Sequence, residues 1–443
     1  MRVTRLPQDP GETGWNALLP APGPVSRLES DTVADFLIIG AGFAGLAAGY
    51  RLRQLRPAAR IAIVDARRVG EGPAGRNSGF MIDLPHDLSS SDYGGELEAD
   101  RVRTEDNRRA IALAAEMAEA FGLSGEAYQP SGKVNAAATD KGQKHNQDYA
   151  AHLARMGEAY ELWDAARMRA VTGSTHYVGG LYTPGTAMLQ PAMFVRGVAD
   201  GLRAGGTVIY ENSPVLALNR SGNWIAATPK GSVSAPTVIL AVNGHLNSFG
   251  HCRGRLMHVF TYASMTEPLS PEACARLGGA PVWGVTPADP MGTTVRRISG
   301  TGGDRIVIRN RFTYDPKMTV SDRRLAQVAR DHDRSFAARF PMLDGTRMAY
   351  RWGGRLCLSR NGVSVVRALE SNLYAACVQN GLGTARGTLG GMLAAELACG
   401  EQSPALQRAL DSDVPQVLPP EPLSWLGANA VMRWQEFRAG AEL

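Results

Sequence analysis

The chain has 443 residues, of which 44% are hydrophobic and 20% charged, with a net charge of +5. That composition belongs to a globular protein large enough for two domains, or for one domain with a large insertion. No apolar run reaches the roughly 20 residues that span a bilayer, and the Lys and Arg residues form no dense block, so no membrane span and no nucleic-acid partner are expected.

The five cysteines, at 252, 274, 357, 377 and 399, are scattered, odd in number and without a C-x-x-C pair. They point to a reducing, cytoplasmic location and to no metal centre or disulfide framework. Residues 1–30 carry prolines at 7, 10, 20, 22 and 24 and lack the apolar core of a secretory signal. They are expected to form an irregular arm laid over the surface.

The run Asp35 to Gly45 followed by Ile61 to Asp65 carries the most information. Phe36 to Ile39 suit a buried parallel strand, and Ile61 to Val64 a second. Between them Gly40 permits a tight turn, Gly42 lets backbone approach a pyrophosphate, and Gly45 lets the helix pack on the strand. The helix start at Phe43 and Ala44 offers its amides and positive dipole end to phosphate. Asp65 lies 20 residues beyond Gly45, where a carboxylate accepts from a ribose diol, with Ala66 and Arg67 beside it.

Further along, helical spacing is expected over residues 100–121 and 141–170, with a short strand at 132–137 between them. A helix at 191–204 and strands near 206–210, 214–218 and 237–244 return to the texture of the first unit. Residues 255–358 alternate apolar and polar in short runs, predicting an antiparallel sheet crossed by a helix at 321–339. A last strand, 372–378, runs into a glycine turn and a helix. The expected organisation is an N-terminal arm 1–30, a discontinuous dinucleotide domain (31–90, 186–250, 359–400), a substrate domain (91–185, 251–358) and a tail 401–443 whose Trp425 and Trp434 suit a cover over the site or a subunit contact.

Four passages in this order resemble the D-amino-acid oxidase and sarcosine oxidase superfamily of FAD enzymes, and its γ-glutamylputrescine oxidase-like branch. They are Gly40 to Asp65, Gly75-Arg76-Asn77-Ser78-Gly79-Phe80, Tyr350 to Gly354, and Gly381-Leu382-Gly383. The resemblance implies an α/β fold, with a Rossmann-like FAD-binding domain of glutathione-reductase type and an inserted antiparallel-sheet α+β substrate domain. It implies that Arg76, Asn77, Ser78 and Gly79 border the flavin, and that Gly381, Leu382, Gly383 and Thr384 meet its pyrimidine, Thr384 capping the helix. Val215 and Asn243 fall at the adenine side.

The resemblance also implies oxidation of a C–N bond in a small amine or amino acid, with O2 or another electron acceptor, and oligomers are compatible with it. A flavin dehydrogenase and a non-catalytic flavoprotein subunit remain alternatives. The position of a covalent flavin tether falls at Gly354, so FAD is expected to be non-covalent. The lysine that speeds reaction with O2 is replaced by Ala385, and the carboxylate-binding arginine by Leu356, with Arg355 expected on the opposite face of the strand. His258 and Tyr262, four residues apart on one strand, are expected to contact substrate, with Trp352 as an apolar wall.

Overall fold

The computed structural model describes residues 1–85 and 94–443. The expected segment boundary between residues 90 and 91 lies outside the described residues. Two large sheets organise the chain. The first has six strands in the order Val208–Tyr210, Ile61–Val64, Phe36–Ile39, Thr237–Leu240, Leu373–Cys377, Val365–Glu370. All its pairings are parallel except the last. Leu37, Ile38, Val238 and Ile239 are buried on both faces, as the uninterrupted apolar runs require.

Helices Phe43–Leu55 and Gly383–Ala398 cover one side of this sheet, and their backbones meet closely. A Cβ at Gly391 would lie 2.0 Å from the Ala44 carbonyl oxygen. The second sheet has eight strands, from Met348–Ser359 through Leu256–Thr266, Arg305–Tyr314, Thr294–Ile298, Trp283–Pro287, Lys133–Ala137 and Gly179–Thr183 to Glu161–Asp164. Its pairings are antiparallel except where Trp283–Pro287 meets Lys133–Ala137. Helix Asp322–Arg339 packs Val328 against Phe260 and Tyr262 of this sheet. This is the expected α/β fold with its inserted sheet.

Several local expectations are corrected. The stretch 141–170 is two helices, Asp140–Met156 and Ala165–Thr172, separated by the strand Glu161–Asp164. Gly157, at φ +81°, ends the first in the left-handed conformation that glycine favours, and Leu162 is consequently exposed. The N-terminal arm does more than lie over the surface: residues Gly14–Ala17 form a helical turn and Trp15 is fully buried. The tail forms two helices, and the second, Leu423–Ala439, sets Glu436 in a buried ion pair with Arg311.

Gly391→Ala is expected to destabilise the protein by about 1–3 kcal/mol, because the helix pair must separate to admit one methyl group. Gly72→Ala, where a Cβ meets nothing within 4 Å, is expected to leave the denaturation midpoint unchanged. Chemical denaturation of both variants checks this.

Candidate FAD site and the adjoining substrate chamber

A long cleft runs past the carboxyl ends of the parallel strands, the usual ligand position in such sheets. Gly40 turns the chain at φ +108°, and a Cβ there would sit 2.5 Å from the Ala241 carbonyl oxygen. A Cβ on Gly45 would lie 1.7 Å from the Gly40 carbonyl oxygen, so this glycine seats the helix on its own turn. Gly42 differs from both: a Cβ there would meet only the Ala74 methyl, at 3.6 Å. The space beside it is a cradle that protein atoms do not fill.

Most of the expected cofactor residues come together here. Gly40, Gly42, Phe43, Ala44, Asp65, Ala66, Arg67, Arg76, Asn77, Ser78, Val215, Asn243, Gly381, Gly383 and Thr384 line the cleft. Gly45 and Gly79 stand behind it, and Leu382 borders a smaller adjoining chamber. Asp65 accepts the Ala41 amide at 2.7 Å through Oδ2 and the Arg67 amide at 2.8 Å through Oδ1. Burial raises its pKa to about 6, against those two amides.

The loop from Arg76 to Phe80 is held through all five of its carbonyls. Trp352 Nε1 donates to Arg76 O at 3.0 Å, and Trp15 Nε1 to Asn77 O at 2.9 Å. Arg296 Nη1 donates to Ser78 O at 3.1 Å, the Leu189 amide to Gly79 O at 2.7 Å, and Thr384 Oγ1 to Phe80 O at 2.7 Å. Within the loop, Asn77 Oδ1 accepts the Gly79 amide at 2.8 Å. Arg76 itself donates to the carbonyls of Glu71, Pro10 and Gly353.

Two expectations change as a result. Trp352 is fully buried behind the loop and is a clamp, not a wall of the substrate site. Thr384 does not cap its helix, because its hydroxyl is committed to Phe80, and the helix Gly383–Ala398 starts without a side-chain cap. Its first-turn amides therefore keep their partial positive charge. The clamp Trp15 escapes sequence reasoning, since it lies in no recognisable motif, while Arg296, an inner-sheet arginine that could be read as an anion receptor, is committed to backbone carbonyls.

His258 and Tyr262 are not brought together at the cleft. His258 is buried against Gly244 and Cys357 and does not line the cleft. Burial and the nearby Arg355 push its pKa down to about 4, so the ring is neutral. Tyr262 borders the cleft, but it packs with Phe260 and Val328 and its hydroxyl bonds Thr313 Oγ1 at 2.6 Å. The other parity of the strand, Thr261 and Ala263, borders the cleft as well. Arg355 also borders the cleft, together with Leu356, rather than turning away from it.

The donor set suits a dinucleotide. Among the described residues six arginines line the cleft (Arg5, Arg67, Arg68, Arg76, Arg309 and Arg355) against one carboxylate, Asp65. Arg355 Nη1, His245 Nε2 and Thr261 Oγ1 are buried lining atoms without a protein partner. Val378, at φ +61°, holds a strained conformation for a β-branched residue, with its amide donated to Asn243 Oδ1 at 3.1 Å. These features fit a bound FAD: an open cradle at a helix start, excess positive charge and orphaned polar atoms.

The model of the FAD dependent oxidoreductase family matches residues 35–397. The chain belongs to that family. It is 25% identical over 385 residues to gamma-glutamylputrescine oxidoreductase of Escherichia coli (strain K12), covering 85% of this chain and 86% of that protein. Its fold is similar to glycine oxidase from Geobacillus kaustophilus, with TM-score 0.67, 18% identity, and coverage of 84% of this chain and 96% of that one. It is also similar to L-proline dehydrogenase from P. horikoshii, with TM-score 0.66, 15% identity, and coverage of 86% and 97%. Among the described residues no helix is long and apolar enough to cross a membrane.

His258 gives a pH prediction. Its folded pKa, about 4, lies below the ordinary 6.5, so the unfolded chain binds the proton first as pH falls. Stability is lost from pH 6.5 down to 4, by about 3 kcal/mol for this residue at about 1.4 kcal/mol per pKa unit. His258→Phe removes a ring whose nitrogens have no partner, so its stability is expected to fall less steeply over that range. Urea midpoints at several pH values check this, and parallel slopes for parent and variant would contradict it.

Proposed function

We propose that this chain oxidises a C–N bond of a small amine or amino acid to an imine with non-covalently bound FAD, using O2 as acceptor and releasing H2O2. The observation that carries this reading is the open cradle at Gly42, joined to a separate chamber beyond the clamped loop. Gly40, Gly42, Phe43 and Ala44 would hold the pyrophosphate, with Gly45 seating the helix. Asp65, Ala66, Arg67, Val215 and Asn243 would hold the adenosine. Arg76, Asn77, Ser78 and Gly79 would border the flavin, and Gly381, Leu382, Gly383 and Thr384 its pyrimidine. Bound FAD supplies a hydride acceptor for the carbon beside a neutral amine nitrogen.

The chain's own residues support the neutral form of the amine. An ammonium entering a cleft lined by six arginines and one carboxylate meets a repulsive field that lowers its pKa and frees the nitrogen lone pair. Gly354, at the position of a covalent tether, has no side chain to form one. Helix Gly383–Ala398 points its uncapped start at the cleft through Gly383 and Thr384, where it would favour anionic charge. The five free cysteines agree with a cytoplasmic location.

A dehydrogenase that passes electrons to another acceptor is the second reading. One observation favours it: among the described residues no lysine lines the cleft or the adjoining chamber.

The purified protein is expected to be yellow, to bleach under nitrogen with a suitable amine, and to recover rapidly in air. Bleaching without recovery would replace the oxidase with the dehydrogenase, and no bleaching by any amine would overturn both. Gly42→Val is expected to fold, because its new Cβ enters open space, yet to lack flavin; full FAD occupancy would contradict the cradle. Acid precipitation is expected to release all the colour to the supernatant, while colour on the pellet would show a covalent bond.

A further inference from the structure

The tail helix Leu423–Ala439 is patterned inside out. Its inner side carries polar residues tied to the body. Glu436 accepts the Phe312 amide at 3.0 Å and pairs with Arg311, and Asn429 exchanges hydrogen bonds with the Tyr314 backbone at 3.2 Å. The outer side is apolar: Leu423, Leu426, Trp434 and Phe437 are 63%, 54%, 57% and 84% exposed. Eight of the fifteen exposed large hydrophobic side chains among the described residues fall between positions 414 and 437. Leu423, Gly427, Ala430, Trp434 and Phe437 follow one another at alternating steps of four and three, which sets them on one seam of the helix. Single exposed hydrophobics are ordinary on a protein surface, whereas a contiguous seam marks a contact.

Two features of the seam say what covers it. Gly427 lies inside the helix, where glycine is a weaker helix former than alanine. A Cβ there would meet nothing within 4 Å, so among the described residues no packing contact calls for a glycine. With Ala430 it leaves a notch in the middle of the seam, where a second helix can approach closely. Leu423 and Leu426 stand on one side of this notch, Trp434 and Phe437 on the other. That order is self-complementary for an antiparallel partner: small meets small at the centre, and the aliphatic pair of each helix meets the aromatic pair of the other. Charge agrees with it. Glu421 is exposed just before the helix, and Arg438 stands in the last turn with its guanidinium 4.8 Å from the centre of the Trp434 ring. Antiparallel pairing brings Glu421 of each copy toward Arg438 of the other, whereas parallel pairing would stack Arg438 on Arg438.

We infer that helix Leu423–Ala439 is a docking surface for the same helix of a second copy of this chain, antiparallel, with the two-fold axis beside Gly427 and Ala430. Such a contact uses one patch on both copies, so it closes at a dimer. It buries Trp434 and Phe437, the residue types that anchor protein interfaces. The inner side of the helix is already fixed to the body, so the seam is presented rigidly and little ordering is needed on docking. Ala428 and Met432 pack in one cluster with Leu356, which lines the cleft. The dimer therefore braces a wall of the cleft from behind.

Sedimentation equilibrium of the holoprotein, between about 0.1 and 100 μM, tests this. A species of twice the chain mass is expected; a monomer throughout would overturn the inference. Phe437→Glu is expected to raise the dimer Kd at least about a hundredfold. Gly427→Ala is expected to raise it about tenfold while raising the denaturation midpoint of the monomer, since the methyl group favours the helix and obstructs the crossing. A dimer unchanged in both variants would overturn the assignment of the surface. Should Phe437→Glu fail to fold, cross-linking keeps the test. Ala430→Cys, beside the two-fold axis, is expected to give a covalent dimer on mild oxidation that the parent does not give. Leu423→Cys, whose copies lie about 15–20 Å apart in an antiparallel pair, is expected to give none. The reverse pattern would overturn the antiparallel arrangement. A parent protein that stays monomeric and sediments with phosphatidylglycerol vesicles would show a lipid surface as the occupant, and would also overturn the inference. Mass and cross-linking are read without turnover, so these outcomes stand apart from those of the amine-oxidising reading.

Discussion

The carbonyls of Arg76 to Phe80 point to donors from five separated parts of the chain: Trp352, Trp15, Arg296, Leu189 and Thr384. This loop joins the two large sheets. It follows directly on the first dinucleotide unit, borders both the cleft and the chamber, and is gripped by side chains of the eight-stranded sheet at Trp352 and Arg296. A buried carbonyl left without a donor costs about 1–3 kcal/mol, so each clamp is worth keeping. Together they fix one path for a loop whose glycine content would otherwise allow many. Trp15 also explains why a proline-rich N-terminal arm is built into the body: its ring packs edge-on against Trp352, 6.5 Å away, and its indole N–H closes the loop.

Charge is arranged on a similar plan. The cleft is rich in arginine, while the histidines around it are kept neutral by burial and by that same positive field. Arg355 lowers the pKa of both His245 and His258. Arg296, fully enclosed, is spent on carbonyls of the loop and of Leu189 rather than on a ligand. Asp65 remains the single carboxylate lining the cleft among the described residues, and two backbone amides hold it. A cleft of this kind attracts a dianionic cofactor and disfavours an ammonium, and the two effects work together in amine oxidation.

Much of this was legible in the sequence where local chemistry decides structure. The strand, turn and helix around Gly40 to Gly45 follow from steric needs that only glycine meets, and the helix Pro191–Ala204 matches its apolar spacing at both ends. Structure departs from local pattern where a distant partner decides. Helical spacing from 141 to 170 concealed Gly157, whose left-handed conformation ends one helix and lets a strand join the sheet edge. Thr384 has the residue type of a cap but sits inside the helix, bonded to Phe80. His258 and Tyr262 share a parity, as alternation required, yet that parity packs Tyr262 toward helix Asp322–Arg339. Alternation predicts that one face meets the cleft, yet Thr261, Tyr262 and Ala263 all border it, where the register against the neighbouring strand shifts between Thr261 and Tyr262.

If the clamped loop preorganises the site for FAD, the affinity of Trp15→Phe apoprotein for FAD reads it out. Phenylalanine preserves much of the ring packing and removes the N–H that holds the Asn77 carbonyl. A native circular dichroism spectrum with FAD affinity reduced at least about tenfold is the predicted result, the equivalent of about 1.4 kcal/mol. A folded variant that binds FAD as tightly as the parent would contradict the account.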